Sequence, residues 1–444
     1  MTMTESFATR RFSCVGRVEQ ACAAYRAPDR YRKLLDFAMD RRHAVQGAGL
    51  SLSGASFGDG VLVTSMRRFN RVLAFDPAAR TLRVEPGITL GEIFTLLQPH
   101  GLSLPVQPGY PGITIGGCVA GNVHGKNQYR EGIFANTVRQ IDLFHPAHGR
   151  LRLSHTENPQ LFELTCGGFG LTGLIVEVEL TLQHMDSTWY RLSQIPVNSL
   201  AETASTMLAM KDDHHILYSW NDLYMDSRSF GGGFVLCGTK AQGEADYPIA
   251  EPARLRPEGW LPPFNFLQGP VLGLANALYG AKLGRAENRR LIDAYQTHFP
   301  FAHWQRYFDA YGRSGCVEHQ VIIGADVCER YFSAVEKLVR SRRVPVGLAT
   351  MKVFRGQPKL LWFRGDGLSF AIHVPGEPEG LAFLGEIDRI DREYAALPNI
   401  LKDSRLPAEV VRHHYCEFEW FRDQIRAHDP KRMFTSMLAE RLGL

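Results

Sequence analysis

Regular alternation of apolar and polar residues is the clearest pattern in the first 190 residues. It predicts short strands at Val61–Met66, Arg71–Phe75 and Thr81–Val84, with a turn over residues 76–79. Leu174–Leu182 alternates along its whole length, with valine and leucine on one face and glutamate and threonine on the other. This segment therefore reads as one long strand with a single buried face.

Apolar residues spaced three and four apart follow Thr89 and continue to Leu97, which predicts a helix with one buried face. Glu92 stands three residues after Thr89, so the two form a capping box at the start of that helix. Asn158 and Pro159 are typical of the cap and first residue of a second helix. Strands and helices are mixed along the chain, and the predicted class is α+β.

The alternation breaks near His184–Ser187, where we place a domain boundary. Beyond it the pattern changes to shorter strands and longer helices. Residues 252–284 carry five prolines and several aromatic residues that look exposed, and their proline and glycine content predicts little regular structure. This segment reads as a lid, a membrane-surface contact or a packing arm. The aromatic residues are Trp260, Phe264, Phe266 and Tyr279.

The composition of the chain argues against several classes of function. A net charge of +4 over 444 residues, without a lysine or arginine run, argues against a nucleic-acid binder. Eight scattered cysteines without a C-x-x-C pair suit reduced thiols in the cytoplasm and predict no metal site. The N-terminal residues lack the apolar core of a signal peptide, and no apolar run is long enough to span a membrane.

Three glycine-rich segments carry the strongest chemical signal. Residues 109–127 hold six glycines and end in side chains that donate hydrogen bonds, residues 46–60 follow a short apolar strand, and residues 166–180 form the third segment. Glycine at this density lets the backbone approach a ligand, and successive N–H groups bind anions. Neither a Walker loop nor a Rossmann fingerprint is present. The three segments therefore predict one extended anionic cofactor.

A family resemblance rests on the same segments. GAGLS at 47–51, PVQPGYPGITIGGCVAGNVHGKN at 105–127 and GGFGLTGLIVEVEL at 167–180 resemble the flavin domain of the vanillyl-alcohol oxidase superfamily, the PCMH-type FAD fold. VHGKN at 123–127, MKVF at 351–354, LKDSR at 401–405 and DPKRMFTSMLAERLGL at 429–444 are similar to the decaprenylphosphoryl-β-D-ribose 2′-oxidase family. The likeness is dense over about residues 43–183, clear again from about 346, and sparse between.

The resemblance implies a two-part FAD-binding domain, formed by residues 1–185 and 400–444. Residues 186–399 would form a substrate (cap) domain of an antiparallel sheet with helices. Many members of the superfamily tether the flavin through a histidine after the first Gly-x-Gly, where this chain has Leu50. Cys118, the other candidate tether, stands where the resemblance places a small packing residue. We therefore expect FAD bound without a covalent bond.

The expected cofactor-binding residues fall in the three segments. The first segment should cradle the pyrophosphate, the second should line the other side of the cofactor, and the third should approach it with main-chain groups. They are Gly47, Ala48, Gly49, Leu50, Ser51, Ser53, Pro108, Gly109, Gly112, Thr114, Gly116, Gly117, Gly121, Asn122, His124, Gly125, Asn127, Gly170, Gly173 and Ile175.

The resemblance also implies the reacting groups. His124 would lie beside the flavin ring, and Lys402 would face the ring and the reacting hydroxyl, either as a base or as a charged contact for the reduced flavin. The expected substrate contacts are Lys126, Gln320, Lys352, Phe354 and Ser369.

Two departures from the family pattern bear on the substrate. Ser369 and Ala371 stand where well-known members have Asn-x-Cys, and Glu318 replaces an expected amide. The carboxylate of Glu318 would be unfavourable beside a phosphate.

The resemblance implies oxidation of a secondary hydroxyl of a sugar or polyol, including a lipid-phosphate-linked pentose, by hydride transfer to the flavin N5. A short-chain reductase would then complete an epimerisation of the kind used in cell-wall glycan synthesis. An alditol or sugar-lactone oxidase that uses oxygen is one alternative, and a catalytically silent flavin-fold binding protein is another. A peripheral contact with the inner membrane face through residues 252–284 is left open.

Overall fold

The computed structural model describes residues 7–241, 261–286, 288–300, 302 and 307–444. Three main sheets and thirteen α-helices occupy these ranges. Among the described helices, none combines the length and apolar character that a bilayer crossing requires.

The first sheet has four strands in the order β1-β2-β4-β3. β1 and β2 are antiparallel, whereas β4 runs parallel to both of its neighbours. The strands are β1 (Ala8–Ser13), β2 (Gln20–Arg26), β3 (His43–Gln46) and β4 (Leu62–Ser65), and helix α1 (Tyr31–Leu35) lies between β2 and β3 in sequence. The glycine-rich turn 47–60 leaves β3 and returns to β4.

The second sheet has the order β5-β6-β10-β8-β9 and is antiparallel throughout. Its strands are β5 (Val72–Asp76), β6 (Thr81–Val84), β8 (Val138–His145), β9 (Gly149–Ser154) and β10 (Leu174–Thr181), and β7 (Leu102–Ser103) pairs with β11 (Gln183–His184). The helices here are α2 (Leu90–Leu97), α3 (Ile115–Gly121), α4 (Gln128–Glu131) and α5 (Pro159–Thr165).

The local predictions in this region are confirmed. Valine and leucine on one face of β10 are buried, and the glutamates opposite are partly exposed. Thr89 and Glu92 form the capping box of α2 through both reciprocal hydrogen bonds. Asn158 precedes α5 as expected, but its side chain does not cap the helix; it donates to the carbonyl of Arg152 instead.

The third sheet has eight antiparallel strands in the order β15-β12-β14-β13-β17-β18-β16-β19. They are β12 (Trp189–Val197), β13 (Ile216–Asn221), β14 (Gly233–Ala241), β15 (Arg290–Asp293), β16 (Cys316–Ile323), β17 (Ala349–Phe354), β18 (Gly367–Pro375) and β19 (Leu397–Pro398). Helices α6 (Leu200–Met210), α9 (Cys328–Arg342) and α10 (Pro378–Glu393) share one buried core with this sheet. The other helices of the region are α7 (Gly269–Arg285) and α8 (Ala294–His298).

The prediction of little regular structure over 252–284 is wrong for residues 269–284, because α7 extends from Gly269 to Arg285. Residues 252–260, including Trp260, lie outside the described residues. Phe264 and Phe266 are exposed as expected, whereas Tyr279 packs edge-on against Trp220 at 5.1 Å.

The chain ends with three helices that return to the first sheet. They are α11 (Ala408–His414), α12 (Phe418–His428) and α13 (Met437–Leu442). The backbone of Thr435 donates to the carbonyl of His43, and Met437 N donates to the carbonyl of Phe57 at 2.7 Å. The C-terminal segment therefore packs on the strand and turn that carry the first glycine-rich segment.

Candidate active site

The turn that follows β3 presents a row of free backbone donors. Within the described residues, the N–H groups of residues 47–52 meet no hydrogen-bond acceptor. Gly47 leaves no room for a side chain, because an added Cβ would lie 2.1 Å from Oγ1 of Thr114, and Gly49 has φ +70°. Ala48 and Leu50 are half-buried in the same turn. Free amides at a partly exposed turn fit the pyrophosphate of FAD.

The second glycine-rich segment forms α3 and the turn after it. Thr114 caps the helix by accepting from the amide of Gly117, and both Gly116 and Gly117 are half-buried. A Cβ on Gly116 would lie 2.8 Å from Pro86, and a Cβ on Gly121 would lie 2.9 Å from Leu401. Gly121 therefore connects the glycine-rich surface to the loop that carries Lys402.

The residues around these glycines are held by backbone contacts. Asn122 ends α3 in the left-handed region at φ 41°, and its buried Nδ2 has no partner among the described residues. A Cβ on Gly125 would lie 2.4 Å from the carbonyl of Gln107. Asn127 donates to the carbonyl of Pro105 at 3.0 Å. Pro108 and Gly112 are buried, and Gly109 is half-buried.

The third segment is bonded directly to α3. The amides of Gly167 and Phe169 donate to the carbonyls of Val119 and Ala120. Gly170 has open space around it, whereas Gly173 at φ 137° lies against the carbonyl of Phe144. Ile175 is 6% exposed and pairs with Leu143 of β8, so its approach to a cofactor stays a prediction. The three segments therefore form one continuous surface.

A charged cluster lies at the edge of the third sheet. Nζ of Lys402 is 3.2 Å from both carboxylate oxygens of Glu318, and Nε2 of His373 is 3.1 Å from Oε2. Burial raises the pKa of Glu318, but Lys402, His373 and Lys352 outweigh it and hold that pKa well below its usual range. Glu318 is therefore an ionised carboxylate that orients Lys402.

His124 and Lys352 complete the cluster. The ring of His124 packs edge-on against Phe354 at 4.7 Å, and Phe354 is two residues from Lys352 on β17. Burial, together with Lys352 and Lys402, lowers the pKa of His124 to about 3. Burial and Lys402 lower the pKa of Lys352 to about 8. His124 is therefore a neutral imidazole at physiological pH, and Lys352 titrates close to that pH.

A buried amide–hydroxyl chain lies beside these charges. Gln320 donates to Oγ of Ser369 at 2.8 Å and accepts from Nδ2 of Asn399 at 2.7 Å. The chain links β16, β18 and the residue that follows β19. Asn399 Oδ1 also accepts from the amide of Leu401 at 3.1 Å, so the chain fixes the start of the lysine loop.

Lys126 is placed differently from the other expected substrate contacts. Its ammonium donates to the carbonyls of Thr297 and His298 at 3.1 and 2.9 Å, and it lies 5.3 Å from the ring of Tyr218. Burial and Lys352 hold the pKa of Lys126 well below its usual range. In this arrangement Lys126 anchors the end of α8, and its contact with a substrate stays a prediction.

Sequence reasoning did not find His373, Asn399 or Phe363 as site residues. His373 follows Ser369 and Ala371 at period two on β18, a signal that could have indicated it. Phe363 lies 5.8 Å from His124 and 5.4 Å from Phe354, but it follows a loop with no periodic pattern. Asn399 is three residues before Lys402, and nothing in its local sequence distinguishes it.

The comparisons with known proteins agree with this geometry. Residues 21–154 match the family described as FAD binding domain. The chain is 28% identical over 422 residues to decaprenylphosphoryl-beta-D-ribose oxidase of Mycolicibacterium smegmatis, with 88% of each chain covered. It is 29% identical over 378 residues to an uncharacterized Streptomyces coelicolor protein, covering 80% of this chain and all of the relative.

A third relative matches over a shorter length. L-gulonolactone oxidase of Bos taurus is 30% identical over 141 residues, and the match covers 32% of each chain. The family match identifies the cofactor as FAD, and the free amides of the first glycine-rich turn and the single surface formed by the three segments fit it. Residues 21–154 therefore form an FAD-binding domain of the PCMH type in an FAD-dependent oxidoreductase, and the likeness of the chain to the decaprenylphosphoryl-beta-D-ribose oxidase of Mycolicibacterium smegmatis extends over most of its length.

Proposed function

We propose that this flavoenzyme oxidises a secondary CH–OH group of a sugar or polyol, and that residues 186–399 form its substrate domain. The observation that carries the proposal is the Lys402–Glu318 ion pair, since it lies beside Gly121 and His124 of the glycine-rich surface. Bound FAD supplies a hydride acceptor. The protein must then orient the substrate carbon and take the hydroxyl proton.

We assign those tasks to the charged cluster. Because its pKa lies well below the usual range, Glu318 would accept the hydroxyl hydrogen only as departure of the hydride makes that hydrogen acidic. Lys402 would donate a hydrogen bond to the oxygen that becomes the carbonyl. Neutral His124 and Phe354 would pack against the flavin side of the site and exclude water. The Gln320–Ser369–Asn399 chain would hold the lysine loop in register and offer polar contacts to other hydroxyls.

We propose that FAD binds without a covalent bond. Leu50 occupies the position of the usual tether histidine and has no reactive group. Cys118 is fully buried in α3, and burial holds the pKa of its thiol well above the usual range, which disfavours the thiolate. Acid or heat denaturation followed by filtration tests this: all yellow colour should pass the filter, and colour retained with the polypeptide would refute it.

The substrate class is the finer part of the proposal. The Mycolicibacterium smegmatis relative is named for oxidation of a decaprenylphosphoryl ribose. In this chain Lys352 and Lys402 provide two cations against the single carboxylate of Glu318, so the cluster can still accept a phosphate-linked sugar. We therefore propose a polyprenyl-phosphoryl pentose as the substrate, with a short-chain reductase as the partner that completes a 2′-epimerisation.

Anaerobic flavin reduction tests the proposed substrate. A ribosyl lipid phosphate should bleach the visible absorption of the bound flavin, whereas free alditols and aldonolactones should not. Bleaching by a free alditol or lactone alone would favour the oxygen-using oxidase, which the match to L-gulonolactone oxidase supports over about a third of the chain. No bleaching by any alcohol would favour a catalytically silent binding protein.

We also propose that the protein is cytoplasmic and meets the inner membrane face through α7. Val271, Leu274 and Leu278 are 55%, 61% and 64% exposed on one face of this helix, and exposed Phe264 and Phe266 precede it. The last turn of α7 carries two basic residues, which suit an anionic lipid surface.

Co-sedimentation with vesicles of phosphatidylglycerol and phosphatidylcholine tests the membrane contact. Leu274→Glu with Leu278→Glu should abolish sedimentation. Leu291→Glu is the matched control, because Leu291 is 52% exposed on β15. Equal sedimentation of all three proteins, or none of the wild type, would refute the contact without affecting the proposed reaction.

A further inference from the structure

Three histidines from distant parts of the chain meet at the edge of the second sheet, outside the candidate active site. His145 ends β8, His148 lies in the turn to β9, and His428 ends α12. Each ring offers a nitrogen, and the three nitrogens lie within 4.8 Å of one another. His145 is fully buried, His428 is half-buried and His148 is exposed, so the cluster has a buried floor and an open side.

Hydrogen bonds fix the protons on two of the rings. Nε2 of His148 donates to the carbonyl of His428 at 2.8 Å, and Nε2 of His428 donates to the carbonyl of Thr172 at 2.9 Å. A carbonyl oxygen can only accept, so each Nε2 carries a proton and Nδ1 is the nitrogen that could bind a metal ion. Both rings therefore have their other nitrogen already bonded.

The third ring, that of His145, has a carboxylate instead of a carbonyl near its Nε2. Nδ1 of His145 accepts weakly from the amide of Ala147 at 3.2 Å, so it also carries a lone pair. Buried Nε2 has no hydrogen bond in the described residues and lies 3.7 Å from Oδ1 of Asp429. A cation at Nδ1 would replace the long Ala147 contact and turn the Nε2–H toward Asp429.

We propose that His145, His148 and His428 bind one divalent transition-metal ion, with Zn²⁺ as the expected occupant. Three imidazoles are a common zinc donor set, and the open side next to His148 leaves a fourth position for water. Metal-ligating histidines almost always donate their other N–H to a carbonyl or a carboxylate. Two of these rings already do so, and the third lies opposite Asp429.

Charge separates this cluster from the other group of potential ligands among the described residues. His319, Asp388 and Asp391 also lie close together, but Arg405 pairs with Asp388 at 2.6 Å and the group is buried. Arg405 thus already supplies the positive charge that these carboxylates would otherwise take from a metal ion. Among the described residues, the three-histidine cluster has no cationic side chain in its hydrogen-bond network, and of its three Nδ1 atoms only that of His145 accepts a hydrogen bond.

The ion would join the β8–β9 turn to the end of α12. These two parts are separated by about 280 residues of chain, and His428 directly precedes the segment that returns to β3. Because it closes a long loop, the ion would stabilise the folded protein against unfolding. The cluster meets the third glycine-rich segment at the carbonyl of Thr172, but among the described residues it has no hydrogen bond to the charged cluster of Lys402 and Glu318, so the ion should not be needed for flavin reduction.

Isothermal titration of the flavin-loaded protein with zinc sulfate, after EDTA treatment and desalting, tests the proposal. The wild type should show one saturable site and a melting temperature that rises with zinc. Loss of a group that only hydrogen-bonds to a metal ligand weakens metal binding by about 10-fold to 100-fold. His148→Gln and His428→Gln should each weaken zinc binding by more than that. His155→Gln is the matched control, since His155 is exposed and outside the cluster.

Because His148 is exposed, His148→Gln should fold, and its flavin spectrum checks this. His148→Gln therefore decides the result even if His428→Gln is unstable. Absence of saturable binding in the wild type would overturn the proposal. It would also be overturned if His148→Gln bound zinc as tightly as the wild type, or if His155→Gln lost binding equally. The flavin should be reduced at the same rate with and without EDTA, and a zinc-dependent rate would refute the assigned structural role.

Discussion

His319 gives the sharpest test of the network that holds the lysine loop. It is 2% exposed on β16, with Nδ1 3.0 Å from Oδ2 of Asp403 and Nε2 3.0 Å from Oδ2 of Asp391. Asp403 directly follows Lys402, so His319 anchors the catalytic loop from the opposite side of the strand to Glu318. We predict that His319→Gln destabilises the protein in a way that depends on pH.

The magnitude follows from the pKa. Burial alone would lower the pKa of His319, but Asp391 and Asp403 raise it from 6.5 to about 10. A group with a raised pKa in the folded state stabilises the protein fully below its unfolded pKa and loses that contribution as pH rises through the folded value. At 1.36 kcal/mol per pKa unit, the His319 contribution is about 4 kcal/mol at pH 6.5 and about 1 kcal/mol at pH 9.5.

Equilibrium urea unfolding of the wild type and His319→Gln at both pH values measures this difference. The variant should be several kcal/mol less stable at pH 6.5, and the gap should shrink by about 3 kcal/mol at pH 9.5. Groups that titrate in both proteins cancel in the comparison. A gap that stays constant or widens with pH would refute the charged pair, and His155→Gln should show no gap at either pH.

Three further predictions concern the site. Glu318→Gln should slow anaerobic flavin reduction by about 100-fold, because it removes the proton acceptor. Exposed Glu329→Gln should not change the rate, and equal rates for both variants would remove Glu318 from the mechanism. Above pH about 8 the KM for a phosphate-linked sugar should rise as Lys352 loses its proton. In Lys352→Gln the KM should not depend on pH in this range. A wild-type KM that stays constant across pH 8 would contradict the proposed contact of Lys352 with the phosphate. Gly47→Ala should lose FAD, because its Cβ would meet Thr114 at 2.1 Å, whereas Gly385→Ala should keep it; yellow Gly47→Ala protein would show that this turn does not hold the cofactor.

Local patterns predicted β3, β4, β5, β6 and β10 of the first two sheets, but not β1, β2, β8 or β9. β10 and α2 follow from period-two alternation and from a capping box, and both signals lie within a few residues of chain. Helix α7 was missed because its glycines argue against a helix in isolation. In the structure Gly273, Gly280 and Gly284 face aromatic rings, and a Cβ on Gly273 would lie 2.7 Å from Tyr224. The glycines let the helix pack closely on the sheet, which only the tertiary structure reveals.

The residues of the candidate site also divide into those that the local sequence indicates and those that only the tertiary structure reveals. The glycine-rich segments and Lys402 carry dense motifs, so the sequence could indicate them. The link between Glu318 and His373 joins two strands paired at that position, and the link between Gln320 and Asn399 joins β16 to the loop after β19. Such partners depend on strand register, which a single sequence does not specify for strands far apart in the chain.

The return of residues 433–437 to β3 and its turn has a consequence for biosynthesis. The backbone bonds from His43 to Met433 and from Met437 to Phe57 complete the border of the first glycine-rich turn. A ribosome must therefore translate almost the whole length shown here before that turn has its final neighbours. Coenzyme capture should then wait until residues 433–437 have left the ribosome, and a nascent polypeptide stalled before residue 430 should be colourless.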